Sequence, residues 1–167
     1  MPETVHAAVG TAAVDDAVLR LLDLSAVDYA DRFALDTAPP GTPDEWARAM
    51  FGDRPVFTER LIWEGLLRLR LRPDAGPEVV AGWSVGARGE DWIRMEARSP
   101  HLVARIHVQV DAGGAAVTTA MHYLDRRGAR TWSALAPIHQ RLAPLMLRAA
   151  ARRRAEVLAV APGCDLN

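Results

Sequence analysis

The sequence predicts an α+β fold in which an antiparallel β-meander packs against one long C-terminal helix. Two observations carry this prediction. Four segments between residues 79 and 126 alternate apolar and polar side chains with the period of a strand. After them, residues 129–154 repeat apolar side chains with the period of a helix.

The composition is that of one globular domain. The 167 residues carry 20 basic and 21 acidic side chains, and half of them are hydrophobic. Every basic residue is an arginine, which excludes a Schiff-base lysine. The single Cys164 can form no disulfide within the chain. Residues 1–10 do not resemble a signal peptide and no long apolar run follows, so we expect a cytoplasmic protein that does not cross a membrane.

The chain divides into three parts. Residues 1–26 are rich in Ala and Val and predict a short helix after Asp15 and Asp16. The main domain spans residues 27–154 and begins with an alternating strand from Val27. Residues 155–167 form a C-terminal tail.

Two short helices are expected after this first strand. Thr42 and Glu45 form a capping box around Pro43, which predicts a helix that ends at Gly52. A second helix is predicted over 55–71, and its expected apolar face consists of Phe57, Leu61, Ile62, Leu66 and Leu69.

The meander is predicted over 79–88, 91–98, 101–110 and 115–126. Apolar residues share one face of each strand, and the other face of the third strand, with His101, Arg105, His107 and Gln109, is expected to face water. Pairing apolar face with apolar face sets Ala97 opposite Leu102 and Val110 opposite Ala115.

The C-terminal helix carries an apolar stripe and two internal prolines. Pro137 and Pro144 lie opposite the stripe, so the helix is expected to kink outward and curve around the sheet. The stripe consists of Trp132, Leu135, His139, Leu142 and Met146.

Two motifs resemble a known superfamily. They are Asp28-Tyr29-Ala30-Asp31-Arg32-Phe33 and the helical pattern of Trp132, Pro137-Ile138-His139 and Pro144. Together with the order of elements from Val27 to Arg152, they resemble the START-like, polyketide-cyclase-like (SRPBCC) superfamily, and within it an actinobacterial family of unknown function. The resemblance implies a helix-grip fold that holds a hydrophobic ligand between the sheet and the long helix. It also implies that the chain is a cyclase, a dehydratase or a lipid carrier.

His139 and Asp31 are the candidate acid/base pair. His139 interrupts the apolar stripe, and Asp31 interrupts the apolar face of the first strand. Burying either side chain costs free energy unless it finds a polar partner, so we expect them to contact each other across the helix–sheet interface. Tyr123 is a further candidate hydroxyl donor for catalysis. The alternative is a core histidine and an Asp31 turned toward water.

Aromatic and flexible side chains are the candidate ligand contacts. Trp83 and Trp132 could form the walls of a site for a flat ligand, while Met95 and Met121 could adapt to its shape. The full set of candidate ligand-binding residues is Tyr29, Trp83, Met95, Ile106, Met121, Trp132, Leu135 and Leu142. The same residues also suit an ordinary core.

Other functional classes find little support. No spacing of His or Cys fits a metal site, and no glycine-rich phosphate motif occurs, so we expect no metal and no cofactor. The arginines near residues 148–154 suit a helix C-terminus, and the balanced net charge argues against nucleic-acid binding.

Three functions follow from these patterns. The first is binding of a small hydrophobic molecule by a monomer or homodimer. The second is a cofactor-free cyclase or dehydratase that uses His139 as its acid/base. The third is a protein-interaction module with a collapsed pocket.

Overall fold

The computed structural model describes residues 4–161 and contains one antiparallel sheet. Its seven strands lie in the order β1-β2-β7-β6-β5-β4-β3, so a meander of β3 to β7 continues into β2 and β1. The strands are β1 (Val5–Val9), β2 (Tyr29–Leu35), β3 (Val79–Val80), β4 (Trp83–Arg88), β5 (Trp92–Arg98), β6 (Leu102–Val110) and β7 (Ala115–Tyr123).

Four α-helices and one π-helical turn complete the fold within residues 4–161. The long helix α4 (Arg126–Val160) lies against the inner face of the sheet beside α2 (Pro43–Phe51). A short helix α3 (Phe57–Arg60) continues directly into a π-helical turn, Leu61–Leu66. The remaining helix, α1 (Asp16–Leu21), lies on the outer face. The α+β, helix-grip arrangement predicted from the sequence is therefore confirmed.

Local sequence signals explain where α2 and α4 begin. The Thr42 hydroxyl accepts the backbone N–H of Glu45, and the Glu45 carboxylate accepts that of Thr42, which is the predicted capping box. Asp125 caps α4 by accepting the N–H groups of Arg127 and Gly128. These bonds fix the direction in which α4 leaves β7.

The core lies between the inner face and the helices. Fully buried side chains of the sheet, including Ile93, Met95 and Leu102, pack with Trp46 of α2 and Leu147 of α4. Burial of this apolar surface is the main force that holds α4 on the sheet. A second, smaller cluster on the outer face joins α1 and its flanking residues to β2 and β7 and consists of Val14, Leu22, Ala30 and Ala120.

Two strands are additions to the predicted pattern. Val5–Val9 pairs with β2 as an edge strand, although the sequence predicted no strand before residue 27. The predicted strand 79–88 is two strands joined by a tight turn, because Ala81 and Gly82 both have positive φ angles of 49° and 83°. Two central residues with positive φ are typical of a two-residue hairpin turn.

One predicted register is right and one is wrong. Val110 lies opposite Ala115, as expected. Ala97 lies opposite Ala104, not Leu102, so the face is correct while the pairing moves by two residues. The reason is the longer turn, in which the Ser99 hydroxyl accepts the N–H groups of His101 and Leu102.

The second short helix differs most from its prediction. It ends at Leu66, where the expected helix continues to residue 71. Three side chains of its expected apolar face are exposed: Phe57 (80% exposed), Leu61 and Leu66. Trp63 is the anchor of this segment, with its ring 5.5 Å from that of Trp83 and 6.2 Å from that of Phe51.

The buried face of α4 is turned around the helix axis relative to the predicted apolar stripe. Trp132 is buried as expected, but Leu142 is 44% exposed. Small residues occupy most of the buried positions, which are Gly128, Trp132, Ala136, Ala143, Leu147, Ala150, Ala151 and Arg154. The helix continues through Pro137 and Pro144 without a break. Within residues 4–161, no helix is both long and apolar enough to cross a membrane.

The prediction that His107 faces water is wrong. This side chain lies on the outer face but is fully buried, and its ring stacks on Trp92 at 5.4 Å. Neither ring nitrogen has a hydrogen-bond partner among the described residues. Burial, with the nearby guanidinium of Arg32, lowers the pKa of His107 to about 4.

Candidate functional site

A cavity of about 560 Å³ lies between the sheet and the helices. Ile106, Val117, Thr119 and Met121 from β6 and β7 form its floor. Side chains from α2, the π-helical turn and α4 form its walls, and they include Phe51, Ile62, Trp63, Trp132, Leu135, Leu142 and Met146. The lining is mainly apolar, which is the usual character of a small-molecule site.

Asp31 and His139 meet beside this cavity. Asp31 shares the inner face of β2 with Tyr29 and Phe33, because alternate residues of a strand point to the same side. His139 lies on α4, which crosses that face. Its Nε2 is 3.0 Å from Asp31 Oδ2 and 3.3 Å from Oδ1. The pair expected from the sequence is therefore present, and we refer to Asp31 and His139 as the dyad.

Two further side chains extend the dyad into a chain of hydrogen bonds. The Tyr29 hydroxyl donates to Asp31 Oδ2, and Gln140 Nε2 donates to the Tyr29 oxygen at 3.1 Å. Asp31 is fully buried, and the Tyr29 hydroxyl and His139 Nε2 supply the hydrogen-bond partners that its carboxylate needs. Burial, together with the Asp31 carboxylate, raises the pKa of Tyr29 and keeps its hydroxyl protonated.

The hydrogen bonds assign a tautomer to His139. A carboxylate can only accept, so in neutral His139 the proton lies on Nε2, which donates to Asp31. The lone pair is then on Nδ1. His139 lines the cavity, and its Nδ1 has no partner among the described residues. This geometry allows His139 to accept a proton from a molecule in the cavity while Asp31 stabilises the resulting imidazolium.

Three more polar groups of the lining have no partner in residues 4–161. The indole Nε1 atoms of Trp83 and Trp132 are buried and donate to no acceptor. The Thr119 hydroxyl makes no hydrogen bond within the same range, and Thr119 lies directly across from Asp31 on the neighbouring strand. Trp132 is close to the dyad, with its ring 5.2 Å from those of both His139 and Tyr29. Trp132 and Thr119 therefore place unpaired polar groups beside the dyad.

Charged side chains occupy a different part of the lining. Arg153 of α4 lies about 20 Å along the helix from His139, at 1.5 Å per residue. It donates to the Ala49 carbonyl oxygen at 2.6 Å. Burial raises the pKa of nearby Glu59, and the positive charge of Arg153 partly opposes this effect. Arg54 also lines the cavity here, and it has no ion-pair partner within residues 4–161.

The predicted site residues divide into two groups. Those that line the cavity are His139, Trp83, Ile106, Met121, Trp132, Leu135 and Leu142. Asp31 and Tyr29 lie behind the lining and reach it through His139 and Trp132. Met95 is fully buried in the core outside the lining. Tyr123 is also outside the lining.

The contribution of α2 and the π-helical turn to the cavity was not predicted from the sequence. Phe51, Ile62 and Trp63 line the cavity, and none of them was among the candidate ligand contacts. The π-helical turn is a signal that only the structure reveals, and such turns are frequent at functional sites. In residues 4–161, no group of three or more His, Cys, Asp and Glu side chains could hold a metal ion.

Comparison with solved structures gives a distant likeness. No protein-family model matches the chain, and no curated protein matches it. Among solved structures, CalU16 from Micromonospora echinospora is 11% identical, with 94% of this chain and 97% of that chain covered, at a TM-score of 0.32. This value is too low to assign a family. The helix-grip description of the fold rests on the order of the strands and on the position of α4.

Proposed function

We propose that this protein binds a small, largely apolar molecule in the cavity between the sheet and α4. The observation that carries the proposal is the cavity itself, with about 560 Å³ of space and mainly apolar walls. Aromatic rings from Trp63, Trp83 and Trp132 suit a flat ring system, and Met121 and Met146 can adapt to its outline. A cavity of this size favours ligand binding over an interaction module with a collapsed pocket.

The same proposal includes membership of the START-like superfamily. The order of the elements supports it, as do the two motifs around Asp31 and His139, which the fold brings together. The ligand-carrying role implied by that resemblance agrees with the apolar cavity.

A bulky side chain in the cavity should prevent binding. Ala149 of α4 lines the cavity and is only partly buried, so Ala149→Trp places an indole in the ligand space without disturbing the core. We expect this variant to bind N-phenyl-1-naphthylamine at least about tenfold more weakly than the unchanged protein. The measurement is a fluorescence titration of this apolar probe.

Ala155→Trp is the matched control. Ala155 is exposed on the same helix and lies outside the lining, so its substitution should leave probe binding unchanged. Equal binding by both variants would show that the probe does not bind in this cavity.

A cofactor-free enzyme is the second candidate function. It is favoured by the dyad, because Asp31 holds Nε2 of His139, a residue that lines the cavity, and leaves Nδ1 without a partner in residues 4–161. An oriented histidine of this kind can act as a general base and then as a general acid. A carrier would not need this arrangement, although it could use His139 as a hydrogen-bond partner of its ligand.

The substitution His139→Ala separates the two candidates even while the substrate is unidentified. If His139 is catalytic, the variant should retain substrate while the unchanged protein retains product. Native mass spectrometry of both proteins, purified from the same cells, should then find small molecules of different mass. Identical masses in both proteins would assign a carrier. Circular dichroism of the variant confirms that the helix content is retained.

A further inference from the structure

Trp132 carries an unpaired polar group in the lining of the cavity. Trp132 is 3% exposed, and its Nε1 is buried without an acceptor in the described part of the chain. A buried N–H that makes no hydrogen bond costs free energy, so native proteins rarely leave one unpaired. Since Trp132 lines the cavity, a molecule in the cavity can supply the acceptor.

Two neighbouring groups strengthen this assignment. The Thr119 hydroxyl has no protein partner within residues 4–161 and lies across from Asp31 on β7, on the side of His139. The ring of His139 is 5.2 Å from that of Trp132. One indole N–H and one hydroxyl therefore offer two donors beside the lone pair of His139 Nδ1. Trp83 also has an unpaired N–H, but its described ring contact is with the apolar Trp63.

We infer that the ligand is an apolar ring compound with a carbonyl oxygen, and that this oxygen accepts hydrogen bonds from Trp132 Nε1 and the Thr119 hydroxyl. This inference rests on the proposed binding function and narrows it to a class of ligand. Pure hydrocarbons, whether rings or alkyl chains, have no acceptor for the Trp132 N–H. They would leave its N–H unpaired and bind less tightly than a ketone of the same shape.

The test compares two flat probes of nearly equal shape. 9-Fluorenone carries a carbonyl oxygen where fluorene carries a CH₂ group. We expect fluorenone to bind on the order of tenfold more tightly, as measured by titration of tryptophan fluorescence. Trp132→Phe keeps an aromatic ring but removes the N–H, so the two probes should bind this variant equally.

Trp46→Phe is the control for the loss of a buried indole. Trp46 is fully buried outside the lining, and its Nε1 donates to the Pro39 carbonyl oxygen at 3.3 Å. This variant should keep the preference for fluorenone. Loss of the preference in Trp83→Phe instead of Trp132→Phe would overturn the assignment to Trp132.

A spectroscopic measurement on the unchanged protein decides the case if Trp132→Phe does not fold. The five tryptophans give five indole N–H signals in a ¹⁵N–¹H spectrum. Fluorenone should move one of them downfield, as a new hydrogen bond does, while fluorene should not. Equal affinities and equal spectra for both probes would overturn this inference and leave the binding function intact. Failure of both probes and of N-phenyl-1-naphthylamine to bind would overturn the binding function itself.

Discussion

Asp31→Ala should destabilise the protein by about 2–4 kcal/mol. Asp31 is fully buried and accepts hydrogen bonds from the Tyr29 hydroxyl and from His139 Nε2. Its removal leaves both donors without an acceptor and opens a small cavity beneath α4. Urea denaturation followed by circular dichroism measures the free energy of unfolding.

Asp36→Ala provides the comparison for this substitution. Asp36 is the residue after β2, and its side chain is 70% exposed beside that of His6. An exposed pair of this kind contributes at most about 1 kcal/mol. A loss for Asp31→Ala no larger than that for Asp36→Ala would mean that the dyad does not contribute to holding α4 on the sheet.

Protonation of His107 at acid pH should lower the free energy of unfolding by about 3 kcal/mol. Its pKa is lowered from 6.5 to about 4 in the folded protein, because burial disfavours the charged ring and Arg32 and Arg94 add repulsion that Asp91 only partly offsets. The unfolded chain therefore binds this proton more tightly than the folded one. The contribution of neutral His107 to the free energy of unfolding is fully present above the unfolded pKa of 6.5. It is lost as the pH falls from 6.5 to about 4.

His107→Phe isolates this effect from the titration of other groups. Phenylalanine keeps the stacking on Trp92 and takes no proton. Between pH 8 and pH 4, the unchanged protein should lose about 3 kcal/mol more of its free energy of unfolding than the variant does. Parallel pH profiles would contradict the assignment to His107.

Much of the fold could be predicted because its strands and main helix carry strong periodic patterns. Alternation predicted one apolar face for each strand of the meander, and the structure buries Ile93, Met95 and Ala97 on that face of β5. The contact between Asp31 and His139 followed from the same reasoning, since two polar residues on facing apolar surfaces require each other.

The failures have physical causes that lie outside such patterns. β1 is a five-residue edge strand whose side chains are exposed or only partly buried, and Ala7 and Ala8 place small side chains on both faces, so its alternation is too weak to detect. His107 was expected to face water because a strand pattern cannot show that another segment covers its outer face. Phe57 and Leu61 have helical spacing but are exposed, because the cavity side of their segment carries Thr58, Glu59 and Ile62 instead.

The positions of α4 that hold it in place are mostly different from those that shape the cavity. Leu147, Ala150 and Ala151 are buried in the core, whereas Leu142, Met146 and Ala149 border the ligand space. Substitutions at the second group can therefore change which molecules are accepted while the anchoring residues remain untouched. This separation makes the scaffold open to diversification, by natural selection or by design, at little risk to its folding.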